Sequence, residues 1–284
     1  MVELSTILLM HPQNKDSIEA VLMSVLEQNY SDFEVILVDG GKSLGKKCKK
    51  YTNKYELPAK IVNAPLESPI SVARNLGVSK SEGDTVIFLD GDTILCDENA
   101  FSKIVEHAKH FSHGYGSKRF WTYPPLYFEK NIDAYKSCIK KGEFDWAVDS
   151  SRAIWPSNGI DRGSGYRDLQ GYSFIGNFGF AQRDLFDSVG GYSTLFKTYG
   201  CEDDYLAYCL YKKNPAGFKR LFEIPVLHVN HPVIHKDTGE EGHSSNFELL
   251  RSLYLKDGFS FFNINVLFGV PDRADEPVLE KQNG

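Results

Sequence analysis

Apolar residues fall in short continuous runs along the first hundred positions, separated by stretches with helical spacing. Thr6-Ile7-Leu8-Leu9-Met10 is one such run, as expected of a strand buried on both faces. Residues 33–38 and 85–89 predict two more strands, and Lys60-Ile61-Val62 a weaker one. Asp16-x-x-Glu19 is a capping-box pattern. It predicts a helix with Ile18, Leu22, Val25 and Leu26 on one face. Ser68-Pro69 predicts an N-cap with proline in the first helical position, and Val72, Ala73 and Leu76 give that helix its apolar face. Asp97 predicts the cap of another helix, with Phe101, Ile104, Val105 and Ala108 inward. Strands alternating with helices specify an α/β fold with a mostly parallel sheet and right-handed crossovers.

The second half is less regular. Residues 149–171 are rich in Ser, Gly, Asp and Arg and predict a long lid or binding loop. Residues 172–180 are strand-like, and 184–189 predict a short helix ended by Gly190-Gly191. Residues 202–212 predict a helix with Leu206 and Leu210 inward and an acidic first turn, which suits the helix dipole. Residues 222–226 form a last strand, followed by His228, His231 and His235. From 247 to 268 the chain is aromatic and apolar at near-helical spacing. There are no internal repeats and no linker composed like a domain boundary.

Composition narrows the classes. A chain of 284 residues is one large domain, or one domain with a smaller lobe. With 42% hydrophobic and 25% charged residues, disorder, collagen and coiled coil are excluded. Lys+Arg 32 against Asp+Glu 38 gives a net charge of −6, which argues against general nucleic-acid binding. No apolar run approaches the roughly 20 residues of a spanning helix. Met1-Val2-Glu3-Leu4-Ser5 does not read as a secretory signal. Cys48, Cys96, Cys138, Cys201 and Cys209 are scattered and odd in number, which fits reduced cysteines in a cytosolic protein.

In open α/β sheets, ligands bind beyond the carboxyl ends of the strands. The three clear strands end at His11-Pro12, Asp39-Gly40-Gly41 and Asp90-Gly91-Asp92. Asp90 and Asp92 are hard oxygen donors suited to Mg²⁺ or Mn²⁺ shared with a phosphate ligand, although Asp-Gly also builds plain turns. Asp39 is either a turn residue or an acceptor for a base N–H or ribose hydroxyl. Arg74 is either a solvated surface residue or a bidentate partner for a diphosphate. Glu202-Asp203-Asp204 either caps its helix or supplies a general base, with Trp155, Phe196 and Tyr199 as nearby apolar surface. An imidazole from His228 or His231 beside Asp92 would favour Mn²⁺ over Mg²⁺.

Together these segments resemble the family 2 glycosyltransferases, which have the GT-A fold. The resemblance runs in order over about 230 residues. It covers Ser5 to Pro12, Phe33 to Gly40, Ala73-Arg74-Asn75-x-Gly77 and Gly83-Asp84-x-x-x-Phe88-Leu89-Asp90-x-Asp92. It continues through Phe180, Gly190-Gly191-Tyr192 and Gly200-x-Glu202-Asp203. Leu227-His228-Val229-Asn230-His231-Pro232 is similar to the terminal metal-histidine segment of galactosyltransferase-like and chondroitin-polymerase-like members.

The resemblance implies a Rossmann-like, mostly parallel central sheet flanked by helices, with a smaller acceptor-side region and a helical tail. It divides the chain into a 1–235 transferase domain (1–112 for the nucleotide sugar, 113–235 for the acceptor) and a 236–284 extension. Asp39 would bond the uracil of a UDP-sugar and Pro12 would line the base pocket. Arg74 would help to place the diphosphate. Asp90 would contact ribose or sugar, and Asp92 would bind the metal. Asp203 would be the catalytic base and Glu202 would hold an acceptor hydroxyl. His228 or His231 would complete the Mn²⁺ or Mg²⁺ shell. The chain departs from the pattern at Gly40, at Gln13 and at Cys201, where glycine is usual before Glu-Asp.

The expected reaction is inverting transfer from a UDP-sugar to a hydroxyl of a glycan or lipid-linked acceptor, in surface polysaccharide synthesis. The alternatives are a retaining transferase, a sugar nucleotidyltransferase and a catalytically silent nucleotide-sugar-binding module. The nucleotidyltransferase would normally carry a Gly-x-Gly-Thr-Arg loop, which His11-Pro12-Gln13-Asn14 is not. The 247–268 segment predicts a helix packed on the catalytic domain, or else a dimer or membrane-surface contact. A cytoplasmic protein, peripheral at the inner membrane face, is the expected location.

Overall fold

The computed structural model describes residues 2–11, 14, 17–40, 44–66, 68–121, 174, 176–198, 200–228 and 240–257. In chain order the strands are β1 (Leu4–Met10), β2 (Phe33–Asp39), β3 (Ala59–Asn63), β4 (Thr85–Asp90), β5 (Thr93–Leu95), β6 (His113–Trp121), β7 (Phe178–Gln182) and β8 (Phe218–His228). The helices are α1 (Ile18–Leu26), α2 (Gly45–Lys54), α3 (Ile70–Ser79), α4 (Ala100–Ala108), α5 (Arg183–Ser188), α6 (Glu202–Lys213) and α7 (Glu240–Lys256).

The described strands form one sheet in the order β3-β2-β1-β4-β7-β6-β8-β5. The first four run parallel. β7 then inserts antiparallel to both β4 and β6, while β6 and β8 are parallel. The predicted α/β class and mostly parallel sheet therefore hold, with an antiparallel strand at the junction of the halves.

Both faces are covered, which explains the unbroken apolar runs. Val35, Leu37, Ile87 and Leu89 point to the side packed by α1, α2 and α4. Their neighbours Ile36, Val38, Val86 and Phe88 point to the side packed by α3, α5 and α6. α3 lies especially close to the sheet. A Cβ on Gly77 would fall 2.4 Å from Ile7 Cγ2 and 2.8 Å from Val38 Cγ2.

Helix starts are shifted from the sequence expectations. α1 begins at Ile18 with Ser17 at the N-cap, and the Ser17 hydroxyl donates to Gly91 O at 2.7 Å. Asp16 lies outside the described residues. Pro69 occupies the N-cap of α3 itself, and Ser68 precedes it. α4 is capped at Asn99, whose N–H donates to Asp97 Oδ1 at 2.8 Å. The inward face of α3 is also different: Ser71, Ala73, Arg74, Gly77 and Val78 are buried. Val72 and Leu76 are only half-buried. The strand expected at 172–180 is Phe178–Gln182. The loop predicted at 149–171, with Trp155, lies outside the described residues.

α7 packs on α6. Leu250 and Tyr254 are buried with Phe196, Cys201 and Tyr208. The Tyr208 and Tyr254 rings meet at 4.7 Å, and Tyr254 Oη donates to Asp204 O at 3.2 Å. No described helix is long and apolar enough to cross a membrane.

Candidate active site

The carboxyl ends of β1, β2 and β4 bring the first group of candidate residues together. At the end of β2, Asp39 is buried and its Oδ2 accepts from Gly45 N at 2.8 Å. Its charge thus sits at the N-terminal end of α2, where the helix dipole favours an anion. After β1 the chain turns on Asn14. Asn14 Oδ1 accepts from His11 N at 2.7 Å, and Asn14 Nδ2 donates to Asp92 Oδ2 at 2.7 Å. That amide holds the Asp92 carboxylate against the β1 turn. Pro12 lies outside the described residues.

Asp90 ends β4, and α3 delivers Arg74 to it. Arg74 Nη2 donates to Asp90 Oδ1 at 3.1 Å, while Nη1 donates to Asp203 Oδ1 at 3.0 Å. Glu202 Oε1 is 3.9 Å from Nη1. One guanidinium, 4% exposed, therefore joins the β4 carboxylate to two carboxylates of α6. Its planar fork is what allows the bridge. The Arg74 guanidinium also lies over the Tyr192 ring, 5.2 Å from its centroid.

Burial governs the protonation of this cluster. Burial raises Glu202 to about 7, and the charge of Asp203 adds to the rise. Burial also raises Asp90, with help from Asp92 and Asp203, while Arg74 opposes the shift. Tyr192 is pushed well above the ordinary tyrosine range by burial, so its phenol stays a donor. That phenol donates to Asp203 Oδ1 at 3.1 Å. Two carboxyl groups raised by burial beside one buried guanidinium are a recognised mark of a functional site.

The sequence motifs around Asn75 and Tyr192 lock into each other. Asn75 Nδ2 donates to Tyr192 O at 2.8 Å, and Tyr192 N donates to Asn75 Oδ1 at 2.9 Å. Gly190 and Gly191 precede Tyr192 with φ of +80° and +68°, which glycine adopts without strain. Asn14, Tyr192 and the pairing of Asn75 were not singled out for roles from the sequence. Their signal lay in the quoted motifs, but only the tertiary fold brings 75 next to 192.

The loop before α6 is held by Asn246 of α7, whose Nδ2 donates to Gly200 O at 2.9 Å. Gly200 and Cys201 have φ of +106° and +69°. Cys201 is thus a left-handed residue with a side chain at the N-cap of α6.

The candidate metal residues fall partly within the described structure. Thr93 pairs with His228 across β5 and β8, so the backbone of His228 lies beside the strand that follows Asp92. His231 lies outside the described residues. No group of three or more His, Cys, Asp or Glu among the described residues is arranged to hold a metal ion. By chemistry alone, a hard carboxylate at Asp92 together with the imidazole of His228 or His231 suits Mn²⁺ or Mg²⁺.

The sheet order and the helices on both faces define an α/β fold of the GT-A class, with carboxylates at the strand ends. The profile of glycosyl transferase family 2 matches residues 6–186, and the chain belongs to that family. Two Haemophilus influenzae proteins described as uncharacterized glycosyltransferases are similar over short stretches. One is 32% identical over 79 residues, 27% of this chain and 31% of that protein. The other is 31% identical over 84 residues, 30% of this chain and 28% of that protein. The chain thus matches under a third of the length of these relatives. Among solved structures, S. aureus TarS 1–349 in complex with UDP-GlcNAc superposes with a TM-score of 0.64 at 13% identity, covering 93% of this chain and 70% of that one. GalNAc-T7 with UDP, GalNAc and Mn²⁺ gives a TM-score of 0.62 at 13% identity, covering 89% and 48%. The mannosyltransferase PcManGT from Pyrobaculum calidifontis, in complex with GDP-Man and Mn²⁺, gives 0.59 at 15%, covering 93% and 68%. These likenesses carry the fold.

Proposed function

We propose that the protein transfers a sugar, with inversion, from a UDP-sugar to a hydroxyl of a glycan or lipid-linked acceptor. The observation that carries this reading is the Arg74 bridge between Asp90, at the nucleotide end of the sheet, and Asp203, on the acceptor-side helix. A donor-side carboxylate and a base fixed to one cation suit single displacement, in which the two reacting groups must meet at a set distance. Asp203 takes the acceptor proton as the oxygen attacks, and Glu202 holds the acceptor hydroxyl. Asp39 reads the base, with Pro12 beside it. Arg74 adds positive potential near the diphosphate while it spaces the carboxylates. Asp92, with His228 or His231, would hold Mn²⁺ or Mg²⁺, which would neutralise charge on the departing nucleoside diphosphate. The UDP and UDP-sugar complexes of structural neighbours support this donor class, and their Mn²⁺ supports the metal. A cytoplasmic site of action belongs to the same reading. So does a membrane-surface or second-copy contact through the tail.

The test is a thermal-shift panel with UDP, GDP, dTDP and CDP, each with and without Mn²⁺. A ligand at 100 times its dissociation constant adds about 2.7 kcal/mol. A Mn²⁺-dependent shift with UDP alone is expected, followed by sugar transfer with an inverted anomer. A shift with another nucleotide would overturn the Asp39 assignment, and a retained anomer would overturn the single displacement.

A further inference from the structure

The Asp203 carboxylate is asymmetric. Arg74 Nη1 and Tyr192 Oη both donate to Oδ1, at 3.0 and 3.1 Å. Among the described residues no hydrogen-bond donor meets Oδ2. Two donors from different elements on one oxygen fix the plane of a carboxylate as well as its place.

Tyr192 is unusually well held for this task. Its backbone is bonded in both directions by Asn75. Its ring meets Phe88 edge-on at 5.4 Å and Phe186 at 6.0 Å. Its buried phenol has its proton to give and Asp203 to give it to. Gly176 closes the arrangement from above. A Cβ there would fall 2.3 Å from Arg74 Cζ and 2.6 Å from Tyr192 Oη. No side chain fits at 176 without displacing both donors.

We infer that the Tyr192 hydroxyl is a positioning group that, with Arg74, engages Oδ1 of Asp203 and leaves Oδ2 as the oxygen that takes the acceptor proton. This rests on the reading of Asp203 as the base. Tyr192 itself touches no reacting atom. The same contact could merely hold α6 to the sheet, so the test must separate orientation from stability.

Tyr192→Phe removes one oxygen and keeps the ring contacts. Turnover is expected to fall about 10- to 100-fold, the scale of a misplaced reacting group, while the KM values for donor and acceptor stay within about twofold. In an Asp203→Asn background the same change should cost less than about twofold, because the group it orients is gone. Wild-type turnover in Tyr192→Phe, or an equal loss in both backgrounds, overturns the inference. Gly176→Ala is the second variant, since it displaces the donors without deleting either. It should also lower kcat in the wild-type background and not in Asp203→Asn. Unchanged kcat for Gly176→Ala in the wild-type background counts against the inference as well. Asp203→Asn alone separates the two levels. If it keeps wild-type turnover, the base assignment fails and this inference with it. If it loses turnover while Tyr192→Phe does not, only the positioning role fails.

Discussion

Thr93 lies opposite His228 in the antiparallel ladder of β5 and β8, although 135 positions separate them in sequence, as 228 − 93 shows. The last strand is thereby tied to the segment that follows Asp92. Backbone pairing, not metal, brings the chain's two candidate ligand segments together.

This pairing makes the metal dependence separable by mutation. Asp92→Asn is expected to abolish the Mn²⁺-dependent part of the UDP thermal shift. His228→Ala and His231→Ala should divide, one removing it and the other leaving it. The check is the UDP shift with and without Mn²⁺ for each variant. A full Mn²⁺-dependent shift in Asp92→Asn would remove Asp92 from the shell.

Arg74 carries the largest expected stability effect. Arg74→Met leaves three carboxylates near one another with no cation, Glu202 buried and Asp90 and Asp203 mostly so. Breaking a buried pair by removing one partner costs about 3–5 kcal/mol. Arg74→Lys keeps the charge but not the two-way fork, so it should fall between. Urea midpoints at pH 7.5 measure both. At pH 5 the Met variant should recover part of the loss, because Glu202 and Asp90, raised by burial, are more fully protonated there.

His113 gives a pH dependence remote from the site. It is fully buried on β6, its Nδ1 faces Ser112 Oγ at 3.2 Å, and burial pushes its pKa down to about 4. The unfolded chain, near 6.5, therefore binds the proton first. Stability is expected to fall as pH drops below 6.5, with the full loss reached below about 4. A shift of that size corresponds to about 3 kcal/mol. Denaturation midpoints from pH 7 to 4 should decline less in His113→Leu than in the wild type.

Cys201 tests the strain at the start of α6. A side chain in the left-handed region costs about 1–2 kcal/mol, and the buried thiol returns a similar amount by packing with Phe196, Tyr208 and Leu250. Cys201→Gly should therefore be near neutral. Cys201→Ala keeps the strain and loses the thiol, so it should be less stable. Cys201→Val, β-branched at a positive φ, should be the worst of the three. Thermal midpoints rank them.

The parallel half of the fold was legible because strands buried on both faces leave continuous apolar runs, as at 6–10, 35–38 and 85–89. β5 and β6 carried no such signal: one has three residues, and the other reads His-Gly-Tyr-Gly-Ser-Lys-Arg-Phe-Trp. The inward face of α3 was misread because hydropathy assigns arginine to the surface. Small residues at Ser71, Ala73 and Gly77 let that helix lie close to the sheet, and the carboxylates at its end draw Arg74 in. The acidic pairs were visible as types and spacings. That Arg74 joins them, and that Asn75 grips Tyr192, depends on contacts between distant segments that no local pattern encodes.

The placement of β7 has a consequence for how the chain can be divided. β7 sits between β4 and β6, and β8 between β6 and β5. Strands from before residue 122 and after residue 173 therefore alternate like fingers of two hands. A chain cleaved between those positions would be a split protein. Its N-terminal piece would lack the strands that sit between β4, β6 and β5, and its C-terminal piece would carry Asp203 without Arg74. Neither piece holds a complete site, and transfer activity would report their reunion.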